Sequence, residues 1–445
     1  MVWTSGLSGR IVEQGEPGYE EARRIYNLRF HKFPRLIVYC QAPIDAANAV
    51  IWAKQHHMDF RVRCGGHSYE AYSSLDGGLV IDVSELTHIE IDKAAGTARI
   101  GAGVRLKSLY DALWKQGLTL PGGSCPSVGV AGLTLGGGYG FLSRAFGLIC
   151  DAVQEIEVAD AYGKLIRAND MLRSDLFWAC RGGGGGNFGI VTSFAFRVYP
   201  IGDVAQFTAS WDYSDLEKVI RFWQNWAPHT DSRLTSNLNL PAEGLGDIGA
   251  NGVFIGIEKE LRSLVRPFQE AIPPKQLTFR SSTWIEAIRR LGGKEVKQVK
   301  FKNSSTYAYK PLSADALQAL SKNLQNAPGP SNLVSFVAHR GAISEVASEA
   351  TAFPHREALF VLQYQSYWQK DRDASANIQW IEQFRSSMLP YTHGAYANYC
   401  DSLIPDWPKA YYAENLAKLK QIKQIYDPDN LFRFEQSIPV QQEDL

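Results

Sequence analysis

The stretch 123–140, GSCPSVGVAGLTLGGGYG, carries glycines at 123, 129, 132, 136–138 and 140. Glycine at that density cannot sustain a regular helix or strand throughout. Flexible linkers are polar, yet valine, leucine and tyrosine are interleaved here. The stretch therefore reads as an ordered loop wrapped on a ligand of dinucleotide size. Two more glycine turns flank it. Upstream, the strand-like FRVRC (60–64) runs into Arg63-Cys64-Gly65-Gly66-His67-Ser68-Tyr69, where paired glycines let backbone N–H groups approach a phosphate. By itself that segment equally suits a tight turn with an incidental histidine. Downstream, Arg181 and five glycines lead through Asn187-Phe188-Gly189 into the strand-like IVTSFAFRV, which begins at Ile190 and Val191. No Gly-Lys-Ser/Thr follows, so this is not a Walker A loop. Gly101-Ala102-Gly103 lacks the third glycine and acidic partner of a nicotinamide fingerprint.

Around these turns, 36–41 and 60–64 read as strands joined by an amphipathic helix at 43–57, capped near Asp45. Further strands are expected at 78–83 and 97–102, a helix at 105–116 striped with Leu106, Leu109, Tyr110 and Leu113, and a hairpin at 153–168 turning at Tyr162-Gly163. After Pro200 the texture changes. Helices are predicted at 214–226, opened by a Ser214/Glu217 capping box, at 313–326, at 375–389 and at 408–426, with strands at 333–338 and 358–367. Helices on an antiparallel sheet, an α+β arrangement, fit this pattern.

A chain of 445 residues is long enough for two cores. Its net charge of zero gives no footprint for nucleic acid or an anionic membrane. The N-terminus has no signal-like apolar run and no stretch reaches about 20 apolar residues, so a cytoplasmic location is expected. The six cysteines are scattered, with no zinc spacing and no metal site implied. The aromatic content of 12% suits a roomy aromatic pocket or a β-rich core alike.

Read together and in order, the glycine segments resemble the FAD-linked oxidases of the berberine bridge enzyme-like group, within the vanillyl-alcohol oxidase and p-cresol methylhydroxylase superfamily. The resemblance also covers TAFPHR (351–356), YANYCD (396–401) and DPDNLFRFEQSIP (427–439), and so spans nearly the whole chain. It implies a flavin domain built from 1–200 and 396–445, with a substrate domain inserted at 201–395. It further implies FAD held by two covalent bonds, from His67 to the 8α-methyl and from Cys125 to C6. The remaining cofactor contacts it implies are Arg63, Cys64, Gly65, Gly66, Ser68, Val128, Gly129, Gly132, Leu133, Thr134, Gly138, Gly140, Ile190, Val191 and Asn398.

The chemistry needs a base for the substrate's hydroxyl proton, and a tyrosine serves only if a cation or hydrogen bonds lower its pKa. Members that oxidise alcohols use the tyrosine that maps to Tyr399, with Tyr396 as the neighbouring alternative. Tyr69, Tyr139 and Gln363 match pocket residues, although any one tyrosine alone also suits core packing. Val128, three after Cys125, matches the residue that gates O₂, where valine accompanies oxidases. The chain departs from the family at Ala131-Gly132-Leu133, where a Gly-Gly-His is usual, at Val361, where some members carry a lysine, and at Ala350-Thr351, where a ring-closing member carries a glutamate; here Glu345 and Glu349 stand near. The expectation is an oxidase acting on the alcohol or hemiacetal C–H of a small molecule, a sugar or a secondary metabolite, with O₂ giving H₂O₂. A dehydrogenase, a ring-forming oxidase or an idle structural relative are its alternatives.

Overall fold

The computed structural model describes residues 4–292 and 298–440. Residues 1–3 and 441–445, the outer ends of the ranges expected for a flavin domain, lie outside the described residues.

Short apolar runs set the first sheet. β1 (Arg10–Glu13), β2 (Leu36–Tyr39), β3 (Phe60–Arg63) and β4 (Leu79–Asp82) lie in the order β1-β2-β4-β3. β2 and β3 both run parallel to β4, which sits between them. The helix Pro43–Gln55 connects β2 to β3 and buries Ala46, Ala49, Val50 and Trp52. Its start is fixed by Pro43 and by Asp45, whose carboxylate accepts the Gln41 and Ala42 amides at 2.9 Å. β5 (Ile89–Asp92), β6 (Thr97–Gly101), β8 (Val153–Ala159), β9 (Leu165–Asn169) and β10 (Ile190–Arg197) form a second, antiparallel sheet in the order β5-β6-β10-β8-β9. The two-residue β7 (Leu118–Thr119) and β11 (Tyr199–Pro200) pair with each other. The helix Leu106–Trp114 buries the expected stripe, and Gly117 beyond it takes φ +72°.

Seven strands make the third sheet: β12 (Asp203–Trp211), β13 (Leu234–Pro241), β14 (Ile248–Phe254), β15 (Gln276–Thr283), β16 (Lys300–Ala308), β17 (Asn332–Ala338) and β18 (Phe360–Trp368). Their order is β15-β12-β14-β13-β17-β18-β16, and every pairing is antiparallel. Alternate residues such as Phe207, Leu238, Phe336 and Leu362 pack beneath helices that include Leu216–Trp226 and Ala374–Met388. The intervening residues of β13, β16, β17 and β18 face the other way, onto a cavity. The fold is thus α+β, with a large antiparallel sheet covered by helices.

Two local expectations are corrected. The helix near 214 begins at Leu216 after a 3₁₀ turn, Tyr213–Asp215, with no side-chain cap. Glu217 is engaged by Arg221 at 2.6 Å instead of closing a capping box with Ser214. The single helix expected at 408–426 is two, Trp407–Tyr412 and Leu416–Tyr426, broken at Ala413 with φ +43°. Asn415 holds the break in place by donating to the carbonyls of Ser348 and Thr351 at 2.8 and 3.1 Å. Tertiary hydrogen bonds here override a continuous helical period.

Candidate active site

A cavity of about 720 Å³ runs between the three glycine turns, the C-terminal segment and the bare face of the seven-stranded sheet. That volume suits a large cofactor together with a small molecule.

Its core is where two turns touch. A Cβ on Gly65 would fall 2.7 Å from the Gly129 nitrogen, and one on Gly129 would fall 2.8 Å from the Gly65 nitrogen. Only glycine permits this approach, and it brings His67 and Cys125 to a common point. Ser127 Oγ lies 3.0 Å from His67 Nε2 and 3.5 Å from Cys125 Sγ. The ring of Tyr26 stacks on the imidazole with centroids 4.0 Å apart. Burial, helped by the Arg105 charge, lowers the His67 pKa to about 4, so the imidazole is neutral and has a lone pair to offer at pH 7.

The opposite wall holds the aromatic residues. Tyr139 donates to the Tyr399 hydroxyl at 2.7 Å, and the Tyr69 ring stacks parallel to Tyr399 at 5.4 Å. Gln363 donates to the Tyr69 hydroxyl at 3.1 Å. Burial pushes the Tyr399 pKa up to about 12, opposed by the bond from Tyr139. The Tyr396 hydroxyl is already occupied. It accepts from the Gly138 amide at 3.0 Å and from Asn398 at 2.9 Å, while Asn398 also donates to the Leu133 carbonyl. These bonds fix the Tyr396 ring, which also borders the cavity.

The cavity brings together most of the residues expected from the sequence: Cys64 to Tyr69, Cys125, Val128, Gly129, Gly132, Leu133, Tyr139, Gly140, Val191, Gln363, Tyr396, Asn398 and Tyr399. Arg63, Thr134, Gly138 and Ile190 do not border it. Arg63 turns to the opposite side and pairs with Asp82, Thr134 is buried in the short helix Val130–Leu135, Gly138 supports Tyr396, and Ile190 lies in the core. Glu349 is exposed and does not border the cavity. Sequence reasoning missed Tyr26 and Ser127, together with a polar set on the sheet: Asn237, Asn239, Asn303, Ser335, Gln365 and Tyr367. The period-two polarity of Asn237/Asn239 and of Gln363/Gln365/Tyr367 was the available signal.

The cavity also fits a flavin dinucleotide. Gly132 faces it with nothing within 4 Å of where a Cβ would stand, and Tyr72, Ser73 and Asn237 each bring a buried oxygen without a protein partner to its wall.

Comparison with known proteins agrees with this geometry. Residues 34–169 match the FAD binding domain family and 395–439 the family described as berberine and berberine like. An uncharacterised FAD-linked oxidoreductase of Bacillus subtilis (strain 168), YgaK, is 42% identical over 440 residues, covering 97% of each chain. The chain belongs to the berberine bridge enzyme-like family of FAD-linked oxidoreductases. The structure of Physcomitrella patens BBE-like 1 superposes with a TM-score of 0.92 at 33% identity, over 98% of this chain and 97% of the other. Two structures of Phl p 4 variants, one described as a glucose dehydrogenase and the other as a glucose oxidase, superpose at 0.89 with 28% identity over 97% of each chain. The second carries one further change, isoleucine to valine. Among the described residues, no helix is long and apolar enough to cross a membrane, and no cluster of His, Cys, Asp and Glu could hold a metal ion.

Two histidines behind the tyrosines add to the acid response of His67. Burial lowers the pKa of His339 and of His355 to about 4, whereas an exposed histidine titrates near 6.5. The unfolded chain therefore binds more protons than the folded one between about pH 6.5 and 4, and stability is lost as pH falls through that window. Urea unfolding midpoints should drop steadily from pH 7 to pH 5, and less steeply in His339→Gln. A midpoint flat over this range would show that neither histidine is held neutral.

Proposed function

We propose that this chain is an oxidase that binds FAD through two covalent bonds, from His67 to the 8α-methyl and from Cys125 to C6. The observation that carries this reading is the meeting of His67 and Cys125 across the single Ser127 hydroxyl. Both positions lie on the flavin's benzenoid ring, meta to each other with C7 between them, so the protein atoms that join them must converge on one edge of that ring. Bound FAD supplies a hydride acceptor for the substrate carbon and passes the electrons to O₂, giving H₂O₂.

The substrate is proposed to be a neutral, polyhydroxylated molecule oxidised at an alcohol or hemiacetal C–H. On the sheet wall, Asn239, Ser335 and Gln365 are linked by hydrogen bonds of 2.7 Å, and Asn237, Asn303 and Tyr367 stand beside them. Amides and hydroxyls both donate and accept, which matches sugar hydroxyls. The glucose named for the two Phl p 4 variants supports a sugar. Tyr399 is proposed as the base, held between Tyr139 and Tyr69, and Val128 as the residue beside the flavin that leaves O₂ a passage. An H₂O₂-coupled screen of the purified protein against mono- and oligosaccharides and aromatic alcohols tests the activity; no peroxide with any of them, from a flavin-loaded protein, counts against it.

Intact-protein mass tests the two bonds. His67→Ala and Cys125→Ala should each keep the flavin mass and the double variant should lose it, whereas an apo mass for either single variant leaves only one link. For the base, Tyr399→Phe should slow flavin reduction about 10²-fold with flavin content unchanged. A base works deprotonated, so wild-type reduction should quicken as pH rises towards the Tyr399 pKa of about 12, and the variant should lack that rise. Wild-type rates in the variant would remove Tyr399 from the role. For the gate, Val128→Leu adds a single methylene, a small change by core-packing standards, and should slow reoxidation in air while leaving reduction nearly unchanged. Equal loss in both half-reactions, followed by stopped flow, would mean that Val128 supports the fold alone.

A further inference from the structure

A second cavity, about 420 Å³, lies against the four-stranded sheet and shares Cys64, Gly65 and Gly66 with the first. Arg63 borders only this one. The register of the sheet places four residues in one cross-strand row, Arg10 opposite Tyr39, Tyr39 opposite Asp82, and Asp82 opposite Arg63. All four line the cavity. Arg63 is 3% exposed. Its Nε pairs with Asp82 and its Nη2 stands 3.5 Å from the Tyr39 hydroxyl, yet its Nη1 is buried without a hydrogen-bond partner. A buried guanidinium nitrogen left in that state costs free energy that a bound acceptor would restore.

The surrounding charge selects the acceptor. Exposed Arg24 and Arg105 border the same cavity, so four guanidiniums face two carboxylates, Asp82 and Glu21. Asp82 is spent on Arg63, and Arg10 is shared between Glu85 at 2.5 Å and the Tyr39 ring at 3.7 Å. The balance is positive and the donors come from several elements, a geometry suited to a multiply charged, tetrahedral oxyanion. The volume exceeds that of a single ion and leaves room for an organic group beside it.

We propose that this cavity is a binding site for a phosphate group, carried by a small phosphate monoester or as inorganic phosphate, and separate from the flavin site. Cys64, Gly65 and Gly66 border both cavities. A bound phosphate would therefore brace the turn that precedes His67 from its outer side.

Calorimetric titration of the flavin-loaded protein tests this, with inorganic phosphate and with glycerol 1-phosphate at constant ionic strength set by chloride. The expected result is saturable binding of one phosphate per chain, weakened about tenfold or more in Arg24→Gln/Arg105→Gln, since each arginine supplies a charge-assisted bond. Arg63→Lys keeps a cation beside Asp82 but lacks the second arm of the fork and should weaken binding similarly; if it fails to fold, the double surface variant decides alone. Gln365→Ala, in the first cavity, should leave the phosphate affinity unchanged. Tighter binding of glycerol 1-phosphate assigns the site to a monoester, and tighter binding of the ion assigns it to free phosphate. Absence of saturable binding by either, unchanged affinity in the double variant, or loss of affinity in Gln365→Ala would overturn the proposal.

Discussion

The site depends on one contact, the bare backbone approach of Gly65 to Gly129. These turns leave different sheets: the first follows β3, and the second is tied to the start of the helix Leu106–Trp114 by the pairing of Arg105 with Gly129. A methyl group on either glycine would drive the two backbones apart. With no side chain between them, His67 and Cys125 are both delivered to within 3.5 Å of the Ser127 hydroxyl. Neither residue sits on a rigid element, so the precision at this point comes from the contact behind it.

The far wall is held by buried charge. Lys302, fully buried on β16, meets the carboxylates of both Glu70 and Asp401, and Glu70 also pairs with Arg29 at 2.7 Å. Two cations and two anions balance, which is the condition for burying them at tolerable cost. The sequence neighbours of these charges are site residues: Tyr69 precedes Glu70, Phe301 and Asn303 flank Lys302, and Tyr399 stands two before Asp401. Four distant chain segments thus share one ionic knot, and the spacing of Tyr69, Tyr399 and the sheet follows from it. Removing Lys302 would leave Glu70 to Arg29 alone and strand the Asp401 carboxylate in the interior, a loss of about 3–5 kcal/mol by the scale of broken buried pairs.

How much of this could be read from the sequence depends on the range of the forces involved. The strands at 36–39, 60–63 and 79–82, the helix at 106–114 and the hairpin at Tyr162-Gly163 were legible because short-range pattern and turn chemistry dictate them. The break at Ala413 was not, because it is imposed by Asn415 bonding to carbonyls more than sixty residues away. β12 to β16 also escaped, since strands such as LTSNLNLP put polar residues on a face that is buried against a cavity instead of exposed to water. Gly65, His67 and Cys125 were legible as residue types in ordered motifs. Ser127 and Tyr26 were not, because neither has a local pattern and only the folded contact gives them a part. Arg63 shows the converse. Its place in the motif pointed to the cofactor, whereas strand alternation sends its side chain to the other face.

The tyrosine pair shows what the neutral wall implies for proton transfer. A tyrosine is ordinarily activated by a nearby cation, and the position where some relatives carry a lysine is here Val361, packed in the apolar cluster with Tyr139, Tyr307 and Phe353. Burial therefore dominates, and Tyr399 keeps its proton at neutral pH. Tyr139 uses its own hydrogen on the Tyr399 oxygen, so that oxygen is stabilised as an acceptor from one side while its second lone pair remains for the cavity. Tyr399 must therefore be deprotonated before it can serve as the proposed base, and the bond from Tyr139 favours that form. The same absence of charge on the sheet wall underlies the proposed preference for neutral hydroxylated molecules, because an anionic or cationic substrate would find no counter-charge there to offset its loss of water.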